Sequence, residues 1–298
     1  MSLVKIFSIY YSKDNLYYGT TLKTNTIEPI QTGKAATGWD LGMLSDDTGD
    51  NISIKNPYYG ELTCWYWVWK NWLPQHPECE YIGFTQYRRM LNFESNTKTG
   101  CWLKTVPKKV MISLYNKYND EYLYSAINGF DMLLPLKQYF PKTIGYNFKL
   151  QMPATAWRLS KEIMKNMVGE KALNEYINND YGYQKNNFII QRKYFDSLMC
   201  WMFGFLTEFE RKYYAVSNLQ HPYWINDKRI GAYLSELYLG LWVQEYLENN
   251  SAKMLEKQLY ESRFYKKIFN EQKTLLKATL SVSKKETLSH IQKCDEQV

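Results

Sequence analysis

Short apolar runs bounded by polar residues predict the strands of a sheet. The first is residues 4–11 (VKIFSIYY), a β-branched and aromatic run that ends at the polar residues 12–15. Comparable runs follow at residues 80–85 (EYIGFT), 130–135 (FDMLLP) and 187–191 (NFIIQ). Runs of this length and composition are typical of strands that are buried in a sheet.

Apolar residues between these runs recur with the spacing of an α-helix. Leu62, Trp65, Tyr66 and Trp69 occupy positions i, i+3, i+4 and i+7, which predicts a helix with one buried face over residues 56–72. This helix opens with an Asn-Pro pair, and both residues favour a helix start. Further helices are expected at residues 110–128, 153–178, 194–214 and 229–248. Because strands alternate with helices, we expect an α/β fold with a mainly parallel sheet flanked by helices.

Two segments depart from this alternation. Residues 17–54 are polar and contain five scattered glycines, which predicts a long ordered loop. A loop of that length inside a compact domain is usually functional. From about residue 251, lysines alternate with leucine, phenylalanine and isoleucine, which predicts a basic helical appendage. We therefore expect one α/β domain over residues 1–250 and a basic helical C-terminal tail over residues 251–298.

The composition is that of a folded protein with an unusual share of aromatic residues. Hydrophobic residues make up 45% of the 298 residues and charged residues 22%, which argues against disorder. Aromatic residues reach 17%, with 27 tyrosines. Tyrosine rings suit sugars, whose apolar C–H faces stack on them. An AT-rich genome, which favours tyrosine codons, accounts for the same bias equally well.

The net charge and the cysteines limit which binding partners and which cellular compartment we expect for the protein. The net charge of +7 comes without a dense Lys/Arg block interleaved with aromatics, so nucleic acid is not expected as a partner. It fits anionic small molecules or attraction to an anionic membrane surface. The five cysteines form no CxxC or zinc spacing, and the N-terminal residues have no signal-peptide pattern. We expect a cytoplasmic protein, held at the inner face of the cell membrane by the basic tail. The alternative is that the tail serves oligomerisation or packs on the domain.

Residues 46–51 (DDTGDN) form a dense polar loop directly before the aromatic helix. Its aspartates could hold a divalent cation, Mn²⁺ or Mg²⁺, that neutralises a diphosphate. Alternatively, Asp46, Asp47 and Asn51 could bond to sugar hydroxyls, as one wall of a sugar-nucleotide pocket. The third interpretation is a solvated turn, because Asp, Gly and Asn are turn formers. The hydroxyl-binding wall is the one we favour, with Tyr58 and Glu61 of the following helix also touching the ligand.

The sequence Tyr87-Arg88-Arg89 follows a predicted strand. The carboxyl ends of parallel strands are where α/β sheets usually bind ligands. Two adjacent arginines there could clamp a diphosphate with bidentate hydrogen bonds. The alternative is one exposed arginine and one arginine in a structural ion pair.

Two glutamates are candidate general bases. Glu236 lies among leucines in the predicted helix over residues 229–248, so we expect it to have a raised pKa or a buried partner. The alternative is a buried ion pair between Glu236 and Arg229 without chemistry. Glu61 is the second choice, although an acid in a first helical turn is also favourable to the helix dipole. His221, which precedes an aromatic run, is a candidate ligand-binding residue.

A series of short motifs spans residues 4–245 and is densest between residues 46 and 70. The motifs are residues 31–35 (QTGKA), 46–53 (DDTGDNIS), 56–59 (NPYY), 61–63 (ELT), 67–71 (WVWKN), 82–89 (IGFTQYRR), 131–135 (DMLLP), 187–190 (NFII) and 231–236 (GAYLSE). Together they resemble the bacterial capsular-polysaccharide synthesis glycosyltransferases, a family long catalogued as a domain of unknown function. The length of the residue 46–70 block makes this resemblance specific.

The resemblance implies a GT-A-like, Rossmann-type sheet that binds a nucleotide-sugar donor. The donor is usually UDP-linked, with UDP-galactofuranose a prominent example, and the acceptor is a saccharide or a lipid-linked saccharide in capsular, exopolysaccharide or lipopolysaccharide synthesis. No organic cofactor is implied, and the divalent metal stays open. The expected donor-binding residues are Tyr11, Asp46, Asp47, Asn51, Asn56, Tyr58, Tyr87, Arg88 and Arg89. The expected acceptor- or sugar-binding residues are Asn187, His221 and Arg229.

The chain also departs from the family pattern. The residue before Tyr-Arg-Arg is Gln86 where the family has histidine, and Leu237 replaces an arginine after the Ser-Glu pair. A second family histidine has no match near Gln151, and no Asp-x-Asp follows the residue 80–85 strand, so arginine could replace the metal. These departures keep two alternatives open: a non-catalytic carbohydrate-binding or regulatory protein on a decayed fold, and a phosphoryl- or nucleotidyl-transferase.

Overall fold

The computed structural model describes residues 2–13, 23–94, 101–217, 229–247 and 250–262. The strands in these residues are β1 Val4–Tyr10, β2 Ile27–Gln31, β3 Leu44–Ser45, β4 Tyr81–Gln86, β5 Arg89–Leu91, β6 Leu103–Thr105, β7 Met132–Pro135, β8 Gln138–Tyr139, β9 Tyr181–Gly182, β10 Phe188–Gln191, β11 Met254–Lys257 and β12 Leu259–Glu261. The α-helices are α1 Lys34–Thr37, α2 Asn56–Tyr59, α3 Leu62–Trp67, α4 Lys108–Lys117, α5 Asp120–Ile127, α6 Ile144–Lys149, α7 Ala154–Val168, α8 Glu170–Asn178, α9 Arg192–Ser217 and α10 Ile230–Trp242. No described helix is long and apolar enough to cross a membrane.

Seven strands form the central sheet in the order β11-β7-β10-β4-β1-β2-β3. The pairs β1–β2, β1–β4, β2–β3 and β7–β11 are parallel. Strand β10 is antiparallel to both of its neighbours, β4 and β7. The predicted α/β fold with a mainly parallel sheet is therefore confirmed. Two smaller sheets have the orders β5-β12-β6 and β8-β9.

Alternate residues of the central strands point to opposite faces of the sheet, and each face is covered by helices. Phe7 and Phe84 belong to the larger apolar core, which includes residues of α3, α7, α9 and α10. Val4 and Ile6 belong to the second core, which includes residues of α4 and α5. Because both faces of β1 are buried, its sequence is a continuous apolar run rather than an alternating one.

Residues 17–54 contain more regular structure than the sequence predicts. Ile27–Gln31 is a strand that pairs in parallel with β1, with Ile6 opposite Ile27 and Ser8 opposite Pro29. Its polar residues and proline have low strand propensity, so the sequence does not predict it. The strand forms because pairing with a buried neighbour outweighs weak local propensity. The loop prediction is therefore wrong for residues 27–31, while residues 14–22 lie outside the described residues.

The predicted aromatic helix is present but broken at Gly60. Helix α2 ends there because Gly60 has φ 56° and ψ −132°, which is not a helical conformation. Helix α3 then begins at Leu62 and continues into a π-helical turn, Val68–Trp72, and a 3-10 turn, Leu73–Gln75. A second π-helical turn, Val243–Leu247, extends α10.

The helical prediction for the C-terminal segment is wrong for residues 254–261. Strand β11 pairs in parallel with β7, and β12 lies between β5 and β6. The four-residue spacing of Leu255 and Leu259 suggested a helix, but β11 pairs at the edge of the central sheet and β12 pairs on both sides, with β5 and β6. Residues 254–261 therefore belong to the sheets of the α/β domain. The remainder of the predicted tail, from residue 263, lies outside the described residues.

Candidate functional site

A cavity of about 500 Å³ opens at the carboxyl edge of the central sheet. Tyr11 follows β1, Thr32 follows β2 and Gln86 ends β4, and all three line the cavity. Parallel strands present their carboxyl ends at one edge, which is the usual ligand site of an open α/β sheet. The residues that the sequence predicted and that line this cavity are Tyr11, Asn56, Glu61, Tyr87, Arg88, Arg89, Arg229 and Glu236.

A second cavity, of about 480 Å³, lies at the start of β1 and β2. Its two lysines already share one carboxylate: Lys5 lies 3.1 Å and Lys23 lies 2.8 Å from Glu28. The cavity at the carboxyl edge combines several cationic side chains with two carboxylates, so it is the better candidate for a chemical site.

The two arginines after β4 have different environments. Arg89 is 5% exposed, and its Nε and Nη2 lie 2.9 Å and 2.8 Å from one carboxylate oxygen of the fully buried Glu261. The Nε of Arg88 lies 3.4 Å from the same oxygen, while 26% of the Arg88 side chain stays exposed. Burial lowers the pKa of the Arg89 guanidinium, although arginine stays protonated in proteins. Arg89 is thus in a structural ion pair, and Arg88 is the arginine that a ligand can reach.

The two candidate bases are held by neighbouring residues of one loop. Glu236 accepts a hydrogen bond of 2.5 Å from the backbone N–H of Lys185, and the Lys185 Nζ lies 3.8 Å away. Glu61 accepts a hydrogen bond of 3.0 Å from the side-chain amide of Asn186. Its other oxygen lies 3.9 Å from Arg229. Arg229 therefore pairs with Glu61, and the predicted alternative of a Glu236–Arg229 pair is wrong.

The loop that holds these glutamates has a strained backbone. Lys185 and Asn186 have φ values of 78° and 49°, in the left-handed region that non-glycine residues rarely adopt. Such conformations cost about 1–3 kcal/mol each and persist where the surroundings demand them. The Asn186 amide also lies 3.1 Å from the Ser235 hydroxyl. In this backbone conformation, two adjacent residues donate hydrogen bonds to two different carboxylates: Lys185 to Glu236 and Asn186 to Glu61.

The balance of charge in the cavity favours an anionic ligand. Among the described residues, four cationic side chains and two carboxylates line it: Arg88, Arg89, Lys185, Arg229, Glu61 and Glu236. Guanidinium groups bind phosphate oxygens with directional, charge-assisted hydrogen bonds. Gln86 accepts a hydrogen bond from Arg89. A glutamine amide cannot accept a proton from an acceptor hydroxyl, so among the described residues that line the cavity the carboxylates of Glu61 and Glu236 are the candidate proton acceptors.

Asp46 lies behind the cavity and not in its lining. Its side chain is fully buried, and it accepts hydrogen bonds from the Gly33 N–H (2.7 Å), the Ser53 hydroxyl (2.6 Å) and the Thr63 hydroxyl (2.5 Å). These bonds join the loop after β2 to α3. The prediction that Asp46 is a ligand-binding wall is therefore wrong, because its oxygens are occupied by the chain's own donors.

Other polar side chains of the acidic loop also form their hydrogen bonds within the chain. Asp47 accepts a hydrogen bond of 2.6 Å from Ser45, and Asn51 donates one of 2.9 Å to the Gly49 carbonyl. Neither residue lines the cavity. Within the described ranges, no three His, Cys, Asp or Glu side chains come close enough to hold a metal ion. Asp47 and Asn51 thus belong to a locally bonded turn, whereas the predicted solvated turn does not describe Asp46, which is buried.

Two further predicted residues support the cavity from behind. Tyr58 is fully buried, and its ring packs against Gly231, where an added Cβ would lie 2.8 Å from a ring carbon. Asn187 is 1% exposed and accepts a hydrogen bond of 2.9 Å from Thr85. The expectation that they touch a ligand is wrong because packing buries both. His221 lies outside the described residues.

Several residues of the site were missed in the sequence. Lys185 and Asn186 precede β10, and its antiparallel direction brings its amino end to the edge where the other strands end. Gln151 and Tyr233 also line the cavity. Glu261 is 172 residues from its partner Arg89 in a segment that was predicted to be helical. No local pattern signals such pairings; only the strand order brings them together.

Comparison with known proteins gives one family and one structure. Residues 9–250 match the family described as Domain of unknown function (DUF4422). The apo structure of WbbM, described as a bifunctional glycosyltransferase, is similar with a TM-score of 0.73 and 26% sequence identity. The similarity covers 88% of this chain and 45% of the WbbM chain, so the chain spans less than half of that protein. No curated protein sequence matches the chain.

Proposed function

The chain belongs to the DUF4422 family, and on this premise we propose that it is a glycosyltransferase that uses a nucleotide-sugar donor. The observation that carries the proposal is the cavity at the carboxyl edge of the sheet. Cationic side chains that a ligand can reach lie there together with two carboxylates that accept hydrogen bonds from neighbouring residues. The likeness to WbbM, described as a bifunctional glycosyltransferase, supports it. A GT-A-like arrangement of the site is part of this proposal.

The donor's diphosphate is proposed to bind at Arg88, with Lys185 and Arg229 adding positive charge. When the sugar leaves, negative charge grows on the nucleoside diphosphate, and a preplaced guanidinium stabilises that charge. Tyr11 is 52% exposed beside Tyr87, so its ring is available to stack on a nucleobase or a sugar. A UDP-linked donor is proposed, with UDP-galactofuranose as the first to test.

A carboxylate is proposed to activate the acceptor hydroxyl. In an inverting transfer, the acceptor oxygen bonds to the anomeric carbon, the bond from that carbon to the phosphate oxygen breaks, and the acceptor proton passes to the carboxylate. Glu236 is the first choice and Glu61 the second. Their side chains have similar exposure, 14% and 10%, so the kinetics of the two glutamine variants must separate them.

The acceptor and the setting are also proposals. The acceptor is proposed to be a saccharide or a lipid-linked saccharide in capsular, exopolysaccharide or lipopolysaccharide synthesis. The protein is proposed to be cytoplasmic and to associate with the inner face of the membrane through the basic residues from 263 onward, which lie outside the described residues. Whether Mn²⁺ or Mg²⁺ takes part is tested directly below.

The decisive experiment measures nucleotide release from a panel of UDP-sugars, with and without EDTA. The proposal predicts slow donor hydrolysis by the wild-type protein and a fall of about a hundredfold or more in Arg88→Ala, to a residual rate. The matched control is Arg211→Ala, because Arg211 forms a surface ion pair with Glu208, 2.9 Å away, on α9. Loss of release on EDTA treatment indicates a metal-dependent reaction. Absence of both turnover and thermal stabilisation with every donor would overturn the proposal.

Two other functions predict different outcomes in the same panel. A non-catalytic carbohydrate-binding protein, which Gln86 and Leu237 motivate as departures from the family pattern, would be stabilised by sugars but would release no nucleotide. A phosphoryl- or nucleotidyl-transferase would form diphosphate or sugar phosphate in place of UDP. Product identification by mass spectrometry separates these from glycosyl transfer.

A further inference from the structure

Glu261 lies beyond the family match, which ends at residue 250, yet it contacts both arginines of the candidate site. Strand β12 carries it into the structure by pairing with β5, so that Glu261 stands opposite Arg89 in the register. The backbone N–H of Ser262 also donates a hydrogen bond of 2.9 Å to the carbonyl of Arg88. The C-terminal strand therefore holds the backbone and the side chains of the arginine pair.

We infer that Glu261 is a positioning residue for donor binding, acting through Arg88. The inference rests on the proposed function, because it assigns to Arg88 the diphosphate of the donor. One carboxylate oxygen serves two guanidinium groups: it accepts hydrogen bonds from Arg89 and lies in ionic contact, at 3.4 Å, with Arg88. Arg89 thereby forms a fixed wall, and Arg88 is tethered at its Nε while part of its side chain faces the cavity.

Such a tether has a functional consequence that a purely structural ion pair lacks. An arginine side chain that is free in solution loses rotamer freedom when it binds phosphate, and one that is held in advance loses less. Catalytic groups must also be placed within a fraction of an ångström, and support from neighbouring hydrogen bonds provides that accuracy. Without the negative charge of Glu261, the two adjacent guanidinium groups would repel each other.

A double-mutant cycle tests the inference. Glu261→Gln is expected to lower the kcat of UDP release roughly ten- to hundredfold, as a small misplacement of a catalytic group does. In the Arg88→Ala background, the same substitution should change kcat by less than about twofold, because the group it positions is gone. The control cycle is Glu208→Gln with Arg211→Ala, the surface pair on α9, for which no kinetic effect is expected.

The outcomes separate positioning from stability and from the proposed function. If Glu261→Gln lowers kcat by the same factor with and without Arg88, in step with a lower melting temperature, its role is structural and the inference is wrong. If the wild type releases no nucleotide from any donor, the proposed function fails, and the cycle is measured on the Kd of UDP by calorimetry. Additive effects on that Kd, or no UDP binding, would also overturn the inference.

An independent observation concerns the surface beside the cavity. Residues 132–161 contain no Asp or Glu but five cations: Lys137, Lys142, Lys149, Arg158 and Lys161. Within the same segment three large apolar side chains are exposed: Tyr139 by 68%, Tyr146 by 43% and Leu150 by 69%. The residue after Leu150, Gln151, lines the cavity. Phe140, which follows β8, and Ile144, which begins α6, donate backbone hydrogen bonds to the adjacent residues Asp180 and Asn179, so β8 lies beside the start of α6. We call Lys137, Tyr139, Lys142, Tyr146, Lys149 and Leu150 the α6 surface.

We propose that the α6 surface binds an anionic lipid bilayer. Tyr146 and Leu150 are four residues apart and lie on one side of α6, and the Lys142 Nζ is 4.1 Å from the centre of the Tyr146 ring. Tyrosines, an exposed leucine and flanking lysines are the side chains that favour a membrane–water interface with anionic lipids. A neutral sugar chain would stack on the tyrosines, but its binding would not depend on the lysines or on the leucine. One exposed acid lies beside this surface: Asp180, whose carbonyl accepts a hydrogen bond from the N–H of Phe140.

Cosedimentation with vesicles tests this surface in the full chain. With vesicles that contain phosphatidylglycerol, Lys142→Glu should weaken binding by about fivefold or more, because one lysine near an anionic membrane raises the binding affinity by about that factor. Leu150→Ser should also weaken binding, whereas the control Ile54→Ser, at a side chain exposed by 54%, should not. Donor hydrolysis in solution should stay unchanged in all three variants. Unchanged vesicle binding in Lys142→Glu and Leu150→Ser, or a raised KM for a soluble saccharide acceptor instead, would overturn the proposal.

Discussion

Gly231→Ala is expected to destabilise the protein although alanine favours helices. An added Cβ at Gly231 would lie 2.8 Å and 3.0 Å from two ring carbons of Tyr58, and 3.1 Å from a ring carbon of Tyr59. Tyr58 is fully buried, so its ring has no space into which to move. Overpacking of this kind costs about 1–3 kcal/mol. The gain in helix propensity is at most about 1 kcal/mol, so we expect a net loss of about 1–2 kcal/mol.

Gly204→Ala provides the matched comparison. Gly204 lies within α9, and an added Cβ there would meet nothing within 4 Å. Only the propensity gain remains, so this variant should be more stable than the wild type by about 0.5–1 kcal/mol. The two substitutions are chemically identical and are expected to have effects of opposite sign.

Urea unfolding with both variants measures the difference. The midpoint should fall for Gly231→Ala and rise for Gly204→Ala, with unchanged m-values. In a thermal scan, each kcal/mol should correspond to a shift of about 2–4 °C. Gly231 also opens the helix that carries Tyr233 and Glu236 into the cavity, so donor hydrolysis should fall only in Gly231→Ala. Equal stabilisation by both variants would refute the packing argument.

Three further predictions follow from the site and its surroundings. Glu236→Gln should lower kcat about a hundredfold or more if Glu236 is the general base, with Glu61→Gln as the comparison; steady-state kinetics of both variants measures this. Asp46→Asn should destabilise the protein by about 3 kcal/mol without a selective change in donor KM, because an amide NH₂ would replace an acceptor among several donors; urea unfolding measures this. Burial raises the pKa of the Cys79 thiol to about 12, so at pH 8 only about one molecule in ten thousand carries the reactive thiolate there. A thiol reagent should therefore label the exposed Cys200 long before Cys79.

Each of these predictions can be contradicted by a specific result. A larger loss of kcat in Glu61→Gln than in Glu236→Gln would exchange the two proposed roles. A tenfold change in donor KM at unchanged stability in Asp46→Asn would return that aspartate to the ligand site. Comparable labelling rates of the two cysteines in the folded protein would show that Cys79 is more accessible than its surroundings indicate.

The strands and helices of the central layers were predictable because their signals are local. The run at residues 4–11 and the helical spacing of Leu62, Trp65 and Trp69 both survive in the structure. Strand β2 and the two C-terminal strands were not predictable, since their sequences are polar or ambiguous. They become strands because neighbouring strands offer unpaired backbone groups, which is a tertiary effect.

The candidate site also has features that the sequence predicted and features that only the structure showed. Its chemical groups were found in the sequence: Arg88 follows a strand end, Glu61 directly precedes α3, and Glu236 lies among leucines in α10. The role of Asp46 was not, because a carboxylate in an acidic turn has the same sequence pattern whether it faces a ligand or the chain's own N–H groups. Burial and hydrogen bonding decide between these, and both are properties of the fold.

The sequence by itself determined the α/β layers, the edge of the sheet at which a ligand would bind, and the family. Only the tertiary structure decided which charges meet there: Glu261 with the two arginines, Arg229 with Glu61, and the backbone of Lys185 with Glu236. The physical reason is the range of the interactions. Propensity and periodicity act over a few neighbouring residues. An ion pair between residues 172 positions apart exists only because a particular strand order closes the distance.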